Sequence, residues 1–475
     1  MVEEPPLVID LDGTLLRSDL LIETALMYVR DRPRRILALL QWLMLGKAVL
    51  KRQLAYATEI DVTTLPYDRV IIEFIEHERR RGRRIVLATA SHRRLADQVA
   101  SHLRLFDDII ATDGDCNLSA HAKRDVLVQN FGHRGFDYAA NSKKDLPVWN
   151  AARQAYVVNA SLMVERRARA LGNVAGVLGS PQGALRDWIR ALRVHQWLKN
   201  ILIFVPLLAA HRYTEWLQVL NASLAFLSFS LCASSVYILN DLLDLRDDRH
   251  HVRKRSRPFA SGQLSVQSGL IASPLMLMAA LGLGIWLLPI VFTIGLVCYY
   301  ALTLAYSIWL KRRMVIDVIT LAILYTLRIL VGAVALSIQL SFWLLAFSMF
   351  IFLSLALVKR YAELFQVREQ SKQDKARGRG YFTDDLPMIA ALGAASGYMA
   401  VMVLALYIND GRTTQLYSHP EFIWLACPLL LTWITRVWML THRGSMNEDP
   451  VIFAVRDRVS LSIGVLIAFV FWAAI

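Results

Sequence analysis

The sequence predicts a protein of two unlike parts. The first is an α/β domain with a parallel sheet and a small helical cap; the second is an all-α polytopic membrane bundle of about nine transmembrane helices. Three observations predict this. Up to about residue 190, charged and apolar positions are mixed, and strand-like runs alternate with helical ones. From Trp197 onward, apolar runs of bilayer-crossing length recur. The loops between those runs alternate sharply in basic charge. A chain of 475 residues has room for both parts, and its net charge of +14 sits mostly in the soluble part and in those loops. Anionic lipid and phosphate substrates explain that charge, and no nucleic acid is expected. Cys116, Cys232, Cys298 and Cys427 form no CxxC pair, so neither zinc nor a disulfide framework is indicated.

The opening MVEEPPLVIDLDGT is acidic and then strand-like, unlike a signal peptide. LVID reads as a short buried strand running into LDGTL. Asp10 and Asp12 lie two apart at its end, with Gly13 allowing a tight turn. Two carboxylates there can do nucleophilic and acid/base work around Mg²⁺. Residues 21–58 read as helical. Within them, ILALLQWLMLGKAVLKRQL is too short to span a bilayer; it is read as a cap packed on the domain, with a resting place on the membrane surface as the alternative. RRIVLATAS and DDIIATDG are further strands, AKRDVL opens a helix with Lys123, FDYAANSKKDLPVWNAA carries Asn141 and Asp145 four apart, and YVVNA reads as the last strand. In such sheets the site lies beyond the carboxyl ends of the strands. Residues 161–187 read as a basic, Gly-containing linker along the lipid surface. The domains are therefore expected at 1–160 and 188–475.

The membrane part divides into nine apolar spans, at about residues 197–210, 217–239, 270–287, 290–308, 315–336, 342–358, 386–408, 422–439 and 461–475. Loops after the even-numbered spans hold about nineteen Lys and Arg; the opposite loops hold about two, Arg212 and Arg412. That asymmetry places the N-terminal domain in the cytoplasm and the C-terminus outside.

The second span ends in NDLLDLRDDRHHVRKRSRP. On a helix, Asn240, Asp244 and Asp248 form one stripe with Asp241 beside it. Carboxylates at a membrane boundary are costly, and oxygen ligands so spaced suit Mg²⁺ with substrate phosphates. Lys254, Arg255 and Arg257 then suit a diphosphate. Other polar residues stand out at the same side of the spans: Lys199 in RVHQWLKN, Tyr306, Lys311 and Asp317 in YSIWLKRRMVID, Lys359 in KRYAEL, and the strings RGRGYFTDDL and EDPVIFAVRDR. Arg328 lies three helical turns beyond Asp317 on the same face. It reads equally as a structural ion pair or as a phosphate ligand.

Two resemblances follow from these strings. DLDGT and the order of strands after it resemble the haloacid dehalogenase superfamily, with its Rossmannoid sheet, over about residues 5–160. The resemblance implies that Asp10 is a nucleophile forming an aspartyl-phosphate, Asp12 the general acid/base, Thr89 (with Ser91 as rival) the hydroxyl of the second motif, and Lys123 the lysine that neutralises the phosphoryl group. Asn141 and Asp145 match the paired acids of the last motif, with Asn standing where the family has Asp; Mg²⁺ would be held by Asp10, Asp12 and Asp145. A degenerate, purely structural domain is the alternative.

Nine spans with NDxxDxxxD after the second resemble the UbiA superfamily of intramembrane prenyltransferases, although the second acidic motif is thin, with Leu321 four residues after Asp317. RVHQWLKN, VYILNDLLDLRDDR, KRSRP, ALTLAYSIWLKR, KRYAEL and EDPVIFAVRDR in order resemble its decaprenyl-phosphate phosphoribosyltransferase branch. The resemblance implies a bacterial inner-membrane enzyme. Its donor would be 5-phosphoribose 1-diphosphate (phosphoribosyl diphosphate), its acceptor a polyprenyl phosphate, and its product an arabinofuranose precursor for the cell wall. Asp241, Asp244 and Asp248, with Asn240, would hold Mg²⁺ against the leaving diphosphate. Lys199 and Arg328 would hold the lipid phosphate or the 5-phosphate, and the N-terminal domain would remove the latter. A prenyltransferase acting on an aromatic acceptor and a non-catalytic lipid-binding protein are the competing expectations; the oligomeric state stays open.

Overall fold

The computed structural model describes residues 4–113, 117–180, 183–371, 380–409, 416–446 and 449–475. Arg377, Arg379 and Glu448, in strings singled out above, and Arg412 and Cys116, named singly, lie outside the described residues. The chain divides into two compact units, residues 1–192 with 237–274, and residues 193–236 with 275–475.

The first unit is organised on LVI. These three residues are wholly buried and form β1 (Leu7–Ile9). β2 (Ile85–His92) and β4 (Asp137–Ala140) flank it, β3 (Asp108–Thr112) lies outside β2, and β5 (Ala155–Val158) and β6 (Val174–Leu178) continue beyond β4. All pairings are parallel. Alternate residues point to opposite faces. Thus Leu7, Ile9, Ile85 and Leu87 enter one core and Val8, Val86, Ala88 and Tyr138 the other. Helices α4 (Arg69–Arg80), α5 (Arg93–Leu103), α6 (His121–Phe131), α7 (Leu146–Ala151) and α8 (Leu162–Arg169) make the crossovers.

Two expectations need correction here. α8 and β6 fall inside the segment read as a linker: VAGVL pairs with β5, so the sheet has a sixth strand beyond YVVNA. Its burial is only partial, as expected of an edge strand among glycines and arginines. The insertion between β1 and β2 is helical as expected, with α1 (Leu20–Asp31), α2 (Ile36–Met44) and α3 (Lys47–Ala57). However, α2 packs on one side only: Trp42 meets Tyr28 of α1, and none of its residues is fully buried.

Residues 237–274 belong to this unit through charged contacts. Arg249 is buried and binds Glu23 of α1 with two nitrogens at 2.7 and 2.6 Å. His250 meets Asp61 at 2.8 Å, and Gln267 donates to Asp19 at 3.0 Å. Arg30 of α1 pairs with Asp247 and lies 3.9 Å from Asp244.

The second unit is helical. Seven helices of the described chain are long and apolar enough to cross a membrane, and Val194–Ala209 and Arg458–Ala474 are shorter apolar ones at the first and last expected positions. Its core joins Leu357 and Tyr361 of one helix to Ile434 and Trp438 of another. Small residues allow this closeness: a Cβ on Gly393 would stand 2.0 Å from the Trp438 ring. Ser354 donates to the Gly393 carbonyl at 2.6 Å and accepts from Trp438 Nε1 at 3.1 Å.

Candidate active sites

The carboxyl ends of the strands assemble the first site, as the position of β1 at the turning point of the strand order requires. Asp10 and Asp12 follow β1. Gly13 turns the chain with φ +78°, and a Cβ there would lie 2.1 Å from the Asn141 amide nitrogen, so this glycine lets the end of β4 close on the loop. Lys123 of α6 donates to Asp10 Oδ1 at 2.6 Å and to the Tyr138 hydroxyl at 3.0 Å. Asp12 Oδ1 accepts from the Leu20 amide at 2.9 Å, and Asp12 Oδ2 accepts from Ser91 Oγ at 2.7 Å. Thr89 is wholly buried beneath and accepts from the Ser91 amide at 3.0 Å. A register shift in β2 between Thr89 and His92 coincides with the turn of Ser91 toward Asp12. Ser91, the rival to Thr89, is thus the hydroxyl on the acid. Asp145 is buried as a capping residue, accepting from Ser142 and from Tyr138 at 3.0 Å.

Burial pushes the Asp10 carboxyl up to about 6 against the pull of Lys123, with the charge of Asp145 adding to the rise. Burial, then the charge of Asp19, pushes Asp12 up to about 7. Lys123 is pulled down by burial, but Asp10 and Asp145 outweigh this and hold it above the ordinary range. Lys51 of α3 went unnoticed in the sequence. It donates to the Ala90 carbonyl and, at 2.7 Å, to Asn117 Oδ1. Burial lowers its pKa against the attraction of Asp12. No local signal marks it, because only the tertiary placement of α3 brings it there.

The second acidic cluster differs from the expected stripe. The helix Trp216–Leu243 carries Asn240 and Asp241 in its last turn, Asp244 caps the next helix, Leu245–His250, and Asp248 lies within it. Asp241 and Asp248, seven apart and so nearly two full turns, converge on one nitrogen of Arg257 at 3.1 and 2.7 Å. Both are buried. Asp244 and Asp247 instead pair with Arg30. The spacing reading paired Asp244 with Asp248 and passed over Asp247. Lys254 and Arg255 form an exposed turn. Burial raises the Asp248 carboxyl against the nearby Arg257.

In the second unit, Asp449 is the hub that the sequence reading left inside the EDPV string. Lys199 donates to its Oδ2 at 2.6 Å, Lys359 to the same oxygen at 3.4 Å, and Tyr325 to its Oδ1 at 3.2 Å. Burial works against ionisation, yet Lys359 and Lys199 hold the Asp449 carboxyl well below the usual range. Arg328 is buried and fully engaged: Nε bonds Asn200 at 2.9 Å, Nη2 bonds Tyr299 at 3.2 Å, and Nη1 bonds the Leu324 carbonyl. It has no contact with Asp317, which pairs with Arg360 at 2.6 Å and accepts from Tyr381 at 2.6 Å. Tyr306 lies within electrostatic reach of Lys359, and Lys311 is half-buried.

The model of the UbiA prenyltransferase family matches residues 201–472, more than half of the chain. The chain belongs to this family. The haloacid dehalogenase-like hydrolase model matches residues 7–148, the α/β domain of the first unit. A UbiA-family enzyme with a haloacid dehalogenase-like N-terminal domain accounts for both halves. Over 469 residues the chain is 38% identical to the uncharacterized protein y4nM of Sinorhizobium fredii, covering 98% of this chain and 90% of that one. Its membrane half is 37% identical over 289 residues to nodulation protein NoeC of Azorhizobium caulinodans, covering 58% of this chain and 88% of NoeC. It is also 31% identical over 284 residues to decaprenyl-phosphate phosphoribosyltransferase of Mycobacterium tuberculosis, covering 59% of this chain and 91% of that enzyme.

Among the described residues no three His, Cys, Asp or Glu side chains stand grouped as a ready metal site. The donors nevertheless suit Mg²⁺ in both acidic clusters. In the haloacid dehalogenase-like domain, the buried Asp10, the half-buried Asp12 and the Asn141 amide surround the Gly13 turn, and Lys123 alone does not bring Asp10 and Asp12 back to ordinary acidity. In this UbiA-family chain's acidic motif, Asp241 and Asp248 already share one cationic atom.

Proposed function

We propose that this chain transfers 5-phosphoribose from phosphoribosyl diphosphate to a polyprenyl phosphate, and that its N-terminal domain then removes the 5-phosphate. The observation that carries this reading is the pair of buried carboxylates, Asp241 and Asp248, converging on Arg257 in a membrane half 31% identical to an enzyme named decaprenyl-phosphate phosphoribosyltransferase. The basic character of the loops on one side of the spans supports a bacterial inner-membrane setting with the N-terminal domain in the cytoplasm.

The lipid phosphate is already anionic and attacks ribose C1 without a general base, while the bond from C1 to the diphosphate oxygen breaks. Asp241 and Asp248, with Asn240 and Asp244 nearby in the chain, would hold Mg²⁺. Arg257, with the exposed Lys254 and Arg255, takes up negative charge as the diphosphate leaves. Lys199 and Lys359 outnumber Asp449 and offer positive charge to a phosphate group.

In the haloacid dehalogenase-like domain, Asp10 attacks phosphorus and the ribose oxygen leaves. Asp12, at about 7, carries a proton near neutral pH and gives it to that oxygen. It then takes a proton from the water that hydrolyses the aspartyl-phosphate. Lys123 steadies the charge on Asp10 and the phosphoryl group. Ser91 orients Asp12. Bound at Asp10 and Asn141, with Asp145 behind, Mg²⁺ would supply further charge neutralisation to the phosphoryl group and leave Asp12 free to carry its proton.

The test is mass spectrometry of lipids after incubating the purified chain with polyprenyl phosphate, phosphoribosyl diphosphate and Mg²⁺. The expected products are the phosphoribosyl lipid and then its dephosphorylated form. No ribosylated lipid, together with prenylation of an aromatic acid when a prenyl diphosphate is supplied, would establish the aromatic prenyltransferase instead.

A further inference from the structure

Helix α2 and its C-cap Leu45 make a run of ten uncharged residues, and one side of it faces nothing. Placed at 100° per residue, Leu43, Ile36, Leu40, Met44 and Leu37 occupy one continuous arc, and the exposed Gln41 separates it from Leu45. Their exposures run from 48% for Ile36 and Leu43 to 88% for Met44. The opposite arc is anchored: Trp42 packs on Tyr28 of α1 with ring centroids 5.1 Å apart. The helix is therefore held on its inner side while four large aliphatic residues and a methionine point outward. Soluble domains rarely leave so much contiguous apolar surface uncovered.

Basic residues border this arc. Arg32, Arg34 and Arg35 precede the helix and are exposed, and Lys47 follows it, also exposed. Nine residues rise only about 14 Å, far short of the roughly 30 Å of a bilayer core, so α2 does not span. An apolar face with cationic ends fits a lipid headgroup boundary, where a single short helix suffices. We infer that α2 is an interfacial anchor: its apolar arc enters the acyl boundary of an anionic bilayer while the flanking arginines and lysine meet the headgroup phosphates. This inference is independent of the transferase and phosphatase assignments.

The experiment uses the unaltered full chain in nanodiscs, one copy per disc, made from phosphatidylcholine with about a third phosphatidylglycerol. Hydroxyl-radical footprinting then reads methionine oxidation. Met163 of α8, 65% exposed, is the water-facing reference for Met44. The expected result is oxidation of Met44 at least ~10-fold slower than of Met163, with part of that protection lost in discs of phosphatidylcholine alone. Oxidation of Met44 as fast as or faster than Met163 would overturn the anchor. Protection seen only in particles holding two copies would overturn it too, in favour of self-association. Equal protection without phosphatidylglycerol would overturn the role of the basic border.

Discussion

The two acidic clusters of the first unit meet the same electrostatic problem by opposite routes. Asp10 finds its lysine 113 residues away and Asp12 its serine 79 residues away, so the fold assembles the cluster. Asp241 and Asp248 find Arg257 sixteen and nine residues on, so one bent helix and the turn after it assemble theirs. The first cluster holds both its acids, Asp10 and Asp12, at raised pKa by burial, and in the second, burial raises Asp248 against Arg257. The second supplies its own guanidinium and is further clamped by Arg249 on Glu23 and Arg30 on Asp247. A site built by topology is poised for proton transfer; a site built locally is poised to hold and release a charged group.

The sharpest way to break this comparison is to disable one cluster and watch the other. Replacing Asp10 with Asn removes the proposed nucleophile but not the fold, so 5-phosphate release should fall by ~10⁴-fold. Phosphoribosyl lipid should then accumulate, because the transfer step does not use this cluster; mass spectrometry reads both. Conversely, Asp248→Ala leaves Arg257 with Asp241 alone, and transfer should fall by about 10²-fold. Hydrolysis of ready-made phosphoribosyl lipid should stay at the wild-type rate. Loss of both activities in either variant would mean that the clusters are not separate sites.

The clamp gives the next effect. Glu23 and Arg249 have side chains only 3% and 5% exposed. Glu23→Ala strands a buried guanidinium and should cost ~3–5 kcal/mol in unfolding of the detergent-solubilised chain. Glu23→Leu with Arg249→Met should recover most of that loss, since a well-packed apolar pair replaces a buried ion pair at little cost.

What could be read from the sequence follows the same division. The strand and the DLDGT turn are legible because an α/β sheet puts loop residues at fixed ends of its strands, whereas the pairing of Lys123 with the acids is legible only through the haloacid dehalogenase resemblance. The local acidic motif was legible as a cluster, but its partners were misassigned. A strict stripe joins residues four apart, whereas residues seven apart share a face almost as closely. β6 was hidden because VAGVL is short, edge-placed and set among arginines and glycines that read as a connector. Lys51 and Asp449 were hidden because each becomes a partner only through tertiary packing. The apolar run of α2 reads as a packed cap or as a helix resting on the membrane surface, and nothing in its periodicity decides how much of its outward arc stays uncovered.

A smaller effect distinguishes Ser91 from Thr89. Ser91→Ala removes the bond to Asp12 Oδ2 and should slow phosphate release ~10-fold, mainly by shifting the pH profile of kcat. Thr89→Ala, which loses only a bond to the Ser91 amide, should shift that profile less. If the Thr89 variant moved the profile more, the hydroxyl on the acid would be misassigned.

The smallest effect tests why the first cluster needs a cation at all. A carboxyl whose folded-state pKa lies above its unfolded value adds stability in full below the unfolded value, and that stability is lost as pH rises through the folded one. For Asp10 and Asp12 the window runs from 3.8 to about 6 and about 7. Without metal, this contribution is therefore gone by pH 8, where both acids are ionised and crowded. Mg²⁺ binds the ionised form and competes with protons below the window's upper edge. Its addition should raise Tm by a few degrees at pH 8 and by clearly less at pH 5.5. Asp12→Asn should shrink that difference, because the carboxyl with the larger rise is then gone, whereas Asp248→Ala should leave most of it in place. A Mg²⁺ effect equal at both pH values would show that Lys123 already balances the cluster, and the contrast between the two acidic sites would vanish.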